Sequence, residues 1–354
     1  MSVFAYYRLP HADHYTVVRQ TSGEPLRLHS CSELNGRKGF VVAPFQVTGE
    51  CPILLIQGDP ERRELTAESL EFDTAARIAA ASSQPIALSS PLADYSIDFA
   101  NFHAQLMAGT FRKIVLARCA TLHDATSLSP GQLFHLACQL YPRMFIALVH
   151  MPDGSYWLTA TPEILLEGVQ QDWRTIALAG TMQLEGPELQ GEGETVRWST
   201  KNIQEQRYVA TYIAECLERF SLDFREEGPR TVRAANLVHL RSDFTFTLYN
   251  NARVGDLLQT LHPTPAVCGL PKREAFQFIV NNEHTPRQYY SGFMGPLLMA
   301  GDETHLYVSL RCMQIAGSDY RLYAGGGLLR DSHLDQEWQE TEAKMQAMRR
   351  LLTL

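Results

Sequence analysis

The feature that most constrains this chain is a succession of short β-prone runs separated only by turns. Phe145 to Met151 and Ser155 to Ala160 are apolar runs joined by Pro152-Asp153-Gly154, a tripeptide typical of tight turns. Such neighbours predict a β-hairpin, and hairpins build antiparallel sheets, whereas parallel strands need a long crossover between them. The pattern therefore favours large antiparallel sheets over a repeating βαβ fold.

Further strands and a few helices follow from the same kind of pattern. Strands are predicted at Lys113 to Ala120, Ile164 to Leu166, Thr175 to Leu178, Arg233 to Leu240, Phe244 to Leu248, Leu306 to Ile315 and Tyr320 to Ala324. Helices are predicted at Glu61 to Ala81, around Phe99 to Leu106, at Ser199 to Phe220 and at about Leu334 to Leu352. The predicted fold class is α+β. A connection is expected at Ser82 to Pro91, and a mobile acidic surface loop at Met182 to Val196.

Composition and charge exclude several classes of protein. The chain has 354 residues, with 31 Lys and Arg against 39 Asp and Glu, and it contains no basic run, which argues against nucleic-acid binding. No apolar stretch approaches the roughly 18 residues of a membrane span, and no secretory signal is apparent at the start. The 7 cysteines are scattered without a CxxC pair, as expected for reduced thiols. We expect a cytoplasmic chain.

Two charged residues stand where apolar neighbours would bury them. Lys113 begins the strand Lys-Ile-Val-Leu-Ala-Arg, on the face of Val115 and Ala117. It is either a lysine whose stem snorkels at a strand start or a partly desolvated general base. Glu163 follows Pro162 and precedes an apolar run. It is either a turn glutamate or a buried acid whose raised pKa lets it protonate a leaving group.

Three glutamates on two predicted helices suggest an oxygen-rich site. Glu205 lies four residues before Val209 and extends the apolar stripe of its helix, while Glu337 shares one face of the last helix with Lys344, and Glu340 lies at the margin of that face. Glu340 and Lys344 also have the spacing of a surface ion pair, which is the simpler interpretation. If the two helices meet, the glutamates would instead hold a hard cation such as Mg²⁺.

Two further features suggest recognition of an anion. Arg311 interrupts the apolar run Leu306 to Ile315, and a guanidinium there can clamp a carboxylate with two hydrogen bonds. The run Gly325-Gly326-Gly327 is expected to form a turn, whose N–H groups can also make an anion nest. Together with a metal ion, these features predict a substrate that carries more than one carboxylate.

A set of short motifs follows in a fixed order from Lys113 to the C-terminus. They are Lys-Ile-Val-Leu-Ala-Arg (113–118), Ala-Thr-Pro-Glu-Ile-Leu-Leu (160–166), Leu-Ala-Gly-Thr (178–181), Leu-His-Pro-Thr-Pro-Ala-Val-Cys-Gly (261–269), Tyr-Ser-Gly-Phe-Met-Gly (290–295), Tyr-Ala-Gly-Gly-Gly-Leu (323–328) and Glu-Trp-Gln-Glu-Thr-Glu-Ala-Lys (337–344). The ordered set resembles the chorismate-utilising enzymes, which comprise isochorismate synthases, salicylate synthases and the large subunits of anthranilate and aminodeoxychorismate synthases.

The resemblance implies a role for each of these positions. Lys113 matches the base that activates water, and Glu163 matches the acid that protonates the departing C4 hydroxyl. Three glutamates match the Mg²⁺ ligands, namely Glu205, Glu340 and, through water, Glu337. The residues that match substrate-binding positions are Gly180, Thr181, His239, Ala266, Tyr290, Arg311, Gly325, Gly327 and Lys344.

The resemblance also favours one member of the family. The pair Pro265-Ala266 looks like isochorismate synthases, because the amination enzymes usually have a threonine there. This implies an isomerase that adds water at C2 of chorismate, feeds menaquinone or siderophore biosynthesis and needs no amidotransferase subunit. The alternatives are an ammonia-dependent anthranilate or aminodeoxychorismate synthase component, a salicylate synthase, or a binding module without turnover. Cys268 departs from the usual small residue and is expected to crowd the pocket.

The implied fold is a single large chorismate-binding domain, with antiparallel sheets flanked by helices. Residues 99–354 would form its catalytic core. Residues 1–98 would form a variable N-terminal part that completes one sheet of the same domain.

Overall fold

The computed structural model describes residues 3–65, 92–183, 196–234 and 237–353, and within them it contains two antiparallel sheets. Strands are numbered along the chain. From edge to edge, the first sheet contains β14 (Gly269–Leu270), β7 (Lys113–His123), β18 (Asp319–Leu328), β17 (Cys312–Ala316), β9 (Tyr156–Thr161), β8 (Phe145–His150), β1 (Phe4–Arg8), β2 (His14–Arg19) and β6 (Glu61–Glu64). The predicted hairpin is confirmed, because β8 and β9 pair antiparallel.

The second sheet lies against the first and has the same number of described strands. In spatial order it contains β12 (Ser221–Ala234), β13 (Leu237–Leu248), β11 (Asp172–Gln183), β10 (Ile164–Val169), β16 (Thr304–Val308), β15 (Phe293–Leu297), β4 (Gly39–Ala43), β5 (Ile53–Ile56) and β3 (Leu26–Leu28). A cluster of buried apolar side chains from both sheets fills the space between them, with Phe145 stacked on Tyr307 at its centre.

Helices cover the outer faces of this sandwich. In the described residues they are α1 (Leu92–Met107), α2 (Pro130–Leu140), α3 (Thr200–Leu217), α4 (Val254–Leu261), α5 (Lys272–Asn282) and α6 (Leu334–Leu352). Apolar clusters join α2 and α6 to the first sheet, α3 and α4 to the second, and α1 and α5 to the β7 edge. The predicted α+β class is confirmed. None of the described helices is long and apolar enough to span a membrane.

Helix α3 begins and packs as its sequence predicts. The hydroxyl of Ser199 caps it by accepting a hydrogen bond from the backbone N–H of Asn202, 3.2 Å away. Val209 and Ile213 lie on its buried face, against the second sheet. This packing fixes the rotation of the helix, and with it the direction in which Glu205 points.

Several sequence predictions were wrong about where elements begin and end. The predicted strand Leu306 to Ile315 is two strands, β16 and β17, which belong to different sheets. The predicted strand Arg233 to Leu240 contains the end of β12 and the start of β13. Of the predicted helix Glu61 to Ala81, the first four residues are strand β6, and residues 66–81 lie outside the described residues. The predicted loop begins with two residues of β11, and its residues 184–195 also lie outside them, as do residues 82–91 of the predicted connection.

The N-terminal strands complete both sheets, not one as the sequence suggested. Strands β1, β2 and β6 extend the first sheet, and β3, β4 and β5 extend the second. The edge position of β6 explains the wrong helix prediction. Its sequence Glu-Arg-Arg-Glu has no apolar alternation, because charged side chains protect an exposed sheet edge from further pairing. The division at residue 98 stays a prediction.

Candidate active site

A small pocket lies where the two sheets, α3 and α6 approach one another. Its walls are formed by Val115, Glu163, Leu178, Ala179, Gly180, Thr181, Glu205, His239, Ala266, Val267, Tyr290, Leu310, Arg311, Tyr323, Ala324, Gly325, Gly327 and Lys344. These include most of the residues that the sequence singled out. Of the other three, Lys113 reaches the pocket wall through Glu205, while Glu337 and Glu340 lie beside Gly326.

Glu163 and Arg311 occupy two neighbouring crossovers between the sheets. The first crossover connects β9 to β10 and carries Glu163, and the second connects β16 to β17 and carries Arg311. The Val308 amide donates a hydrogen bond to the Glu163 carbonyl at 2.9 Å, and the Ala160 amide donates to the Arg311 carbonyl at 3.1 Å. The fold therefore holds a carboxyl and a guanidinium on one corner of the sandwich.

Glu163 is buried, with 4% of its surface exposed. Burial is the main cause that raises its pKa, to about 7, while the charges of Lys113, Arg311 and Lys344 act in the opposite direction. A carboxyl with this pKa carries a proton in a large fraction of molecules at neutral pH. It can therefore donate that proton to a leaving group, and the turn interpretation does not account for its burial.

His239 orients the guanidinium of Arg311 through a hydrogen bond. Gly180 adopts a left-handed backbone conformation, with φ of 69°, at a bulge in β11, and the Nδ1 atom of His239 lies 3.1 Å from its carbonyl oxygen. Nε2 then accepts a hydrogen bond from Arg311 Nη2 at 2.9 Å, which assigns the proton to Nδ1. Burial and the charges of Arg311 and Lys344 hold the pKa of His239 well below its usual range. The imidazole is neutral and positions the guanidinium.

Lys113 is fully buried and paired with a carboxylate. Its Nζ lies 3.0 Å from Glu205 Oε1, and its side chain has no exposed surface, so the snorkelling interpretation is wrong. Burial opposes ionisation of Glu205, but Lys113, Lys344 and Lys201 outweigh it and lower the pKa of Glu205. A Cβ on Gly327 would lie 2.1 Å from Glu205 Oε1 and 2.8 Å from Lys113 Cε. Glycine is therefore needed at this position.

The three glycines continue strand β18 and do not form the turn that the sequence suggested. Gly325 and Gly327 pair with Ala117 and Val115 of β7. A Cβ on Gly325 would lie 2.9 Å from the hydroxyl oxygen of Tyr290, so the glycines let functional side chains approach the strand backbone closely. The arrangement is that of a flat strand, not of an anion nest.

Glu337 and Glu340 both lie beside Gly326, on the face of β18 toward which a side chain at this position would point. A Cβ there would be 3.0 Å from Glu337 Oε2 and 3.7 Å from Glu340 Oε1. Lys344 Nζ lies 2.7 Å from Glu340 Oε1 and donates a hydrogen bond to the Gly325 carbonyl at 2.9 Å. Both side chains of this pair are mostly buried, so Glu340 and Lys344 do not form the simple surface ion pair that their spacing suggested.

Each of the three glutamates is paired with a different lysine. The third pair joins Glu337 to Lys201, a residue that sequence reasoning missed. Its position four residues before Glu205, on the same helix face, was the signal that could have found it. In the described part of the chain, no group of three or more His, Cys, Asp or Glu side chains lies close enough together to hold a metal ion as it stands.

The chemistry of these donors nevertheless fits a hard cation. All three offer oxygen atoms, which Mg²⁺ prefers. Glu337 Oε2 is buried and accepts no hydrogen bond from the described residues. An unpaired buried carboxylate oxygen needs a positive partner. A bound cation would therefore compete with the three lysines for carboxylates that lie beside the neighbouring glycines Gly326 and Gly327.

Cys268 does not crowd the pocket as the sequence suggested. Its side chain is fully buried in the apolar cluster with α1 and α5, on the far side of β7 from the pocket. Val267, its neighbour, lines the pocket instead. All seven cysteines are free thiols, which confirms that prediction.

The pocket volume is about 60 Å³, enough for a few water molecules only. A substrate with a ring and two carboxylates requires the walls to move apart. A larger cavity of about 800 Å³ lies elsewhere, beside Glu167, Trp173 and Arg174, and contains none of the predicted site residues. Its position makes it a poor candidate for the chemistry, despite its size.

Comparisons with known proteins identify a single family. A model of that family, described as chorismate binding enzyme, matches residues 61–353. The isochorismate synthase MenF of Escherichia coli is 32% identical over 248 residues, which are 70% of this chain and 57% of the relative. The isochorismate synthase EntC of Escherichia coli is 28% identical over 239 residues, 67% of this chain and 61% of the relative. The matches thus span about three fifths of the length of these relatives.

Among solved structures, the menaquinone-specific isochorismate synthase MenF of Escherichia coli has a similar fold. The TM-score is 0.82, with 24% sequence identity, and the match covers 99% of this chain and 89% of that one. A likeness at this level of identity confirms the predicted fold, a single chorismate-binding domain.

Proposed function

The chain belongs to the family of chorismate-binding enzymes, and from this we propose that it is a Mg²⁺-dependent isochorismate synthase. The reaction adds water at C2 of chorismate and removes the C4 hydroxyl, and it would serve menaquinone or siderophore biosynthesis. The observation that carries the proposal is that Glu163, a buried carboxyl group whose pKa is raised to about 7, lines one pocket together with Glu205, the partner of the buried Lys113. The relatives that are named isochorismate synthases support it.

The two residues divide the proton transfers between them. Lys113 takes a proton from the water that attacks C2, and Glu163 gives a proton to the hydroxyl that leaves C4 as water. Both ring double bonds shift by one position as hydroxyl leaves C4, so no oxidant or reductant is needed. A lysine can accept a proton only as the free amine. The ion pair between Lys113 and Glu205 therefore has to open before the reaction.

Cations in the pocket would hold the two carboxylates of the substrate. Arg311, fixed by His239, is suited to the pyruvyl carboxylate, together with the hydroxyl of Tyr290. Glu205, Glu337 and Glu340 would hold Mg²⁺, which when bound would neutralise the ring carboxylate and anchor it. Gly180, Thr181, Ala266, Gly325 and Gly327 would shape the remaining walls, and Lys344 would lie beside the ring carboxylate.

No glutamine amidotransferase partner is part of this proposal, because water, not ammonia, is the nucleophile. We further propose that the enzyme works in the cytoplasm. The competing amination function shares the fold and the acid but would use ammonia at C2, so the two functions differ in their products rather than in most of their site residues.

Product analysis tests the proposal. Purified chain is incubated with chorismate and Mg²⁺, with and without ammonium, and products are separated by chromatography. Isochorismate formed without ammonium, and lost when EDTA is added, is the expected result. An aromatic amine formed only with ammonium would instead indicate an amination enzyme, salicylate as the main product would indicate a salicylate synthase, and binding without any product would contradict turnover.

A further inference from the structure

A buried ion pair lies behind the pocket wall and does not line the pocket. Glu283 follows the last turn of α5, and Arg287 is four residues further along. Each side chain is 3% exposed. Arg287 donates two parallel hydrogen bonds, from Nε to Glu283 Oε2 and from Nη2 to Glu283 Oε1, both at 2.7 Å. Burying two charges is costly even when they are paired, so the position of this pair needs an explanation.

The pair replaces a missing strand at the edge of the first sheet. Strand β14 is only two residues long and pairs with Lys113 and Ile114. Beyond it, the Ala117 amide donates a hydrogen bond to Glu283 Oε1 at 2.7 Å, and Arg287 Nη2 donates to the Val115 carbonyl at 2.8 Å. Two side chains thus act as the donor and the acceptor that a neighbouring strand would supply.

This edge of the sheet carries Lys113 and supports the glycines of β18. Val115 and Ala117 pair on their other side with Gly327 and Gly325, and Lys113 precedes them on β7. The ion pair therefore contacts the strand of the base and the loop of Val267, whose carbonyl accepts from Arg287 Nη1 at 2.7 Å, and it supports the strand of the glycines through β7.

The same arginine also anchors a substrate-binding position. The Tyr290 amide donates a hydrogen bond to the Arg287 carbonyl at 2.9 Å. The guanidinium lies over the ring of Phe45, 4.4 Å from the ring centre, which fixes its plane. Neither Glu283 nor Arg287 lines the pocket, so they can act only through the residues that they hold.

We propose that Glu283 and Arg287 are positioning residues for the reaction proposed above, on which this inference rests. They hold the edge of β7 so that Lys113 keeps its distance from Glu163 across the pocket. A displacement of about 1 Å at such a site can cost on the order of 100-fold in rate. The substrate carboxylates are bound mainly by other elements, so the loss falls on kcat more than on KM.

The structure also offers a route for chemical rescue. A cavity of about 370 Å³ lies on the side of the pair away from the pocket, and its walls include Glu283, Arg287, Phe45 and the exposed residues Glu50 and Pro286. In Arg287→Ala, free guanidinium can enter from this side and occupy the place of the lost side chain. A lysine in the same place has one point charge and cannot reproduce the planar fork.

The experiment compares Glu283→Gln, Arg287→Ala and Arg287→Lys with Glu167→Gln. Glu167 is a matched control, because it is an equally buried carboxylate paired with an arginine and lies away from the pocket. The readouts are kcat, KM for chorismate, the melting temperature and amide hydrogen exchange at Ala117. Glutamine has a single acceptor oxygen and cannot accept all the hydrogen bonds of Glu283, so amide exchange at Ala117 should increase in Glu283→Gln and stay unchanged in the control Glu167→Gln.

We expect kcat to fall roughly 30-fold in Glu283→Gln and Arg287→Ala with KM changed less than about threefold. Millimolar guanidinium should raise the kcat of Arg287→Ala roughly tenfold. The kcat of Arg287→Lys should stay as low as that of Arg287→Ala without guanidinium. Glu167→Gln should lose stability but keep its kcat. If Glu283→Gln loses stability as the control does and keeps kcat, the pair is only structural and the inference is overturned. Unchanged amide exchange at Ala117 in Glu283→Gln would also overturn the positioning role, whatever the activity of the variant. A wild-type protein that forms no isochorismate would instead contradict the proposed function, on which the positioning role rests.

Discussion

Glu163 and Glu167 lie four residues apart on one segment, are 4% and 5% exposed, and have opposite electrostatics. The pKa of Glu163 is raised to about 7, and the pKa of Glu167 is lowered to about 2. Burial acts on both in the same direction and so cannot explain the difference. The comparison shows that the partners of a buried carboxyl group, not its depth, decide whether it holds a proton.

The partners of Glu167 are fixed donors. Burial would raise its pKa, but His305 and the Tyr307 hydroxyl donate hydrogen bonds to it, and Arg174 forms an ion pair with it. The carboxylate is therefore permanently charged and ties β10, β11 and β16 together. We interpret Glu167 as a structural residue.

The charged groups that lower the pKa of Glu163 are Lys113, Arg311 and Lys344, and burial prevails over them. These cations are also engaged elsewhere: Lys113 with Glu205, Arg311 with His239 and Lys344 with Glu340. The fold thus keeps the acid at the crossover free to exchange a proton.

Glu163→Gln should lower kcat/KM by about 1000-fold, because glutamine has the shape of the acid but no proton to give. The measurement is the rate of isochorismate formation at saturating Mg²⁺. The variant should remain folded, which circular dichroism checks. Activity within tenfold of the wild type would show that Glu163 is not the proton donor.

Glu167→Gln should instead lower the free energy of unfolding by about 2 kcal/mol, because a neutral glutamine cannot replace the buried carboxylate that accepts hydrogen bonds from His305 and the Tyr307 hydroxyl. Its kcat/KM should stay within about threefold of the wild type. Urea denaturation and the same rate assay measure the two quantities. A large loss of activity with unchanged stability would reverse the roles that we assign to the two glutamates.

Arg311→Lys should raise KM for chorismate roughly 30-fold, or about 2 kcal/mol, because a lysine cannot make the two parallel hydrogen bonds to a carboxylate. Arg174→Lys serves as the control, because its side chain is half exposed and lies away from the pocket. Steady-state kinetics of both variants test the prediction. Equal effects of the two substitutions would contradict the specific role of Arg311.

The pH dependence of stability should differ between the two carboxyl groups. Glu163 has a pKa of about 7 when folded and 4.5 as its ordinary value, so the folded state binds the proton more tightly. The stabilisation that comes from this tighter proton binding is fully present below pH 4.5 and is lost as the pH rises toward 7. Glu163→Gln should therefore gain about 2 kcal/mol over the wild type between pH 5 and pH 8.

Glu167 behaves in the opposite way, because its pKa is lowered in the folded state. Its contribution is present above pH 4.5 and is lost as the pH falls toward 2. Denaturation of both variants across this range gives the two curves. Parallel curves for Glu163→Gln and Glu167→Gln would contradict the contrast.

Much of the fold and many of the site residues could be predicted, because they depend on local patterns. The hairpin of β8 and β9 follows from its turn, and the stripe of α3 predicts that Glu205 points inward. Charged residues at positions expected to be buried suggested Lys113, Glu163 and Arg311, and the resemblance of ordered motifs supplied their roles and the remaining pocket positions. The structure brings most of them together around one pocket, and their roles stay proposals.

The rest depends on contacts between distant parts of the chain. A strand that crosses from one sheet to the other keeps its apolar pattern, so the sequence does not mark the crossover at Arg311. The glycines of β18 look like a turn, because only the neighbouring carboxylates and Tyr290 explain why a strand lacks side chains there. The edge hydrogen bonds of Glu283 and Arg287 depend on how short β14 is.

The most direct test of the central claim is a site-specific titration of the two carboxyl groups. In protein labelled with ¹³C at glutamate side chains, Glu163→Gln and Glu167→Gln assign the two signals, and the wild type is then titrated by NMR. We expect the Glu163 signal to change with a midpoint near pH 7 and the Glu167 signal to stay constant above pH 4. A common midpoint below pH 5 would contradict this expectation.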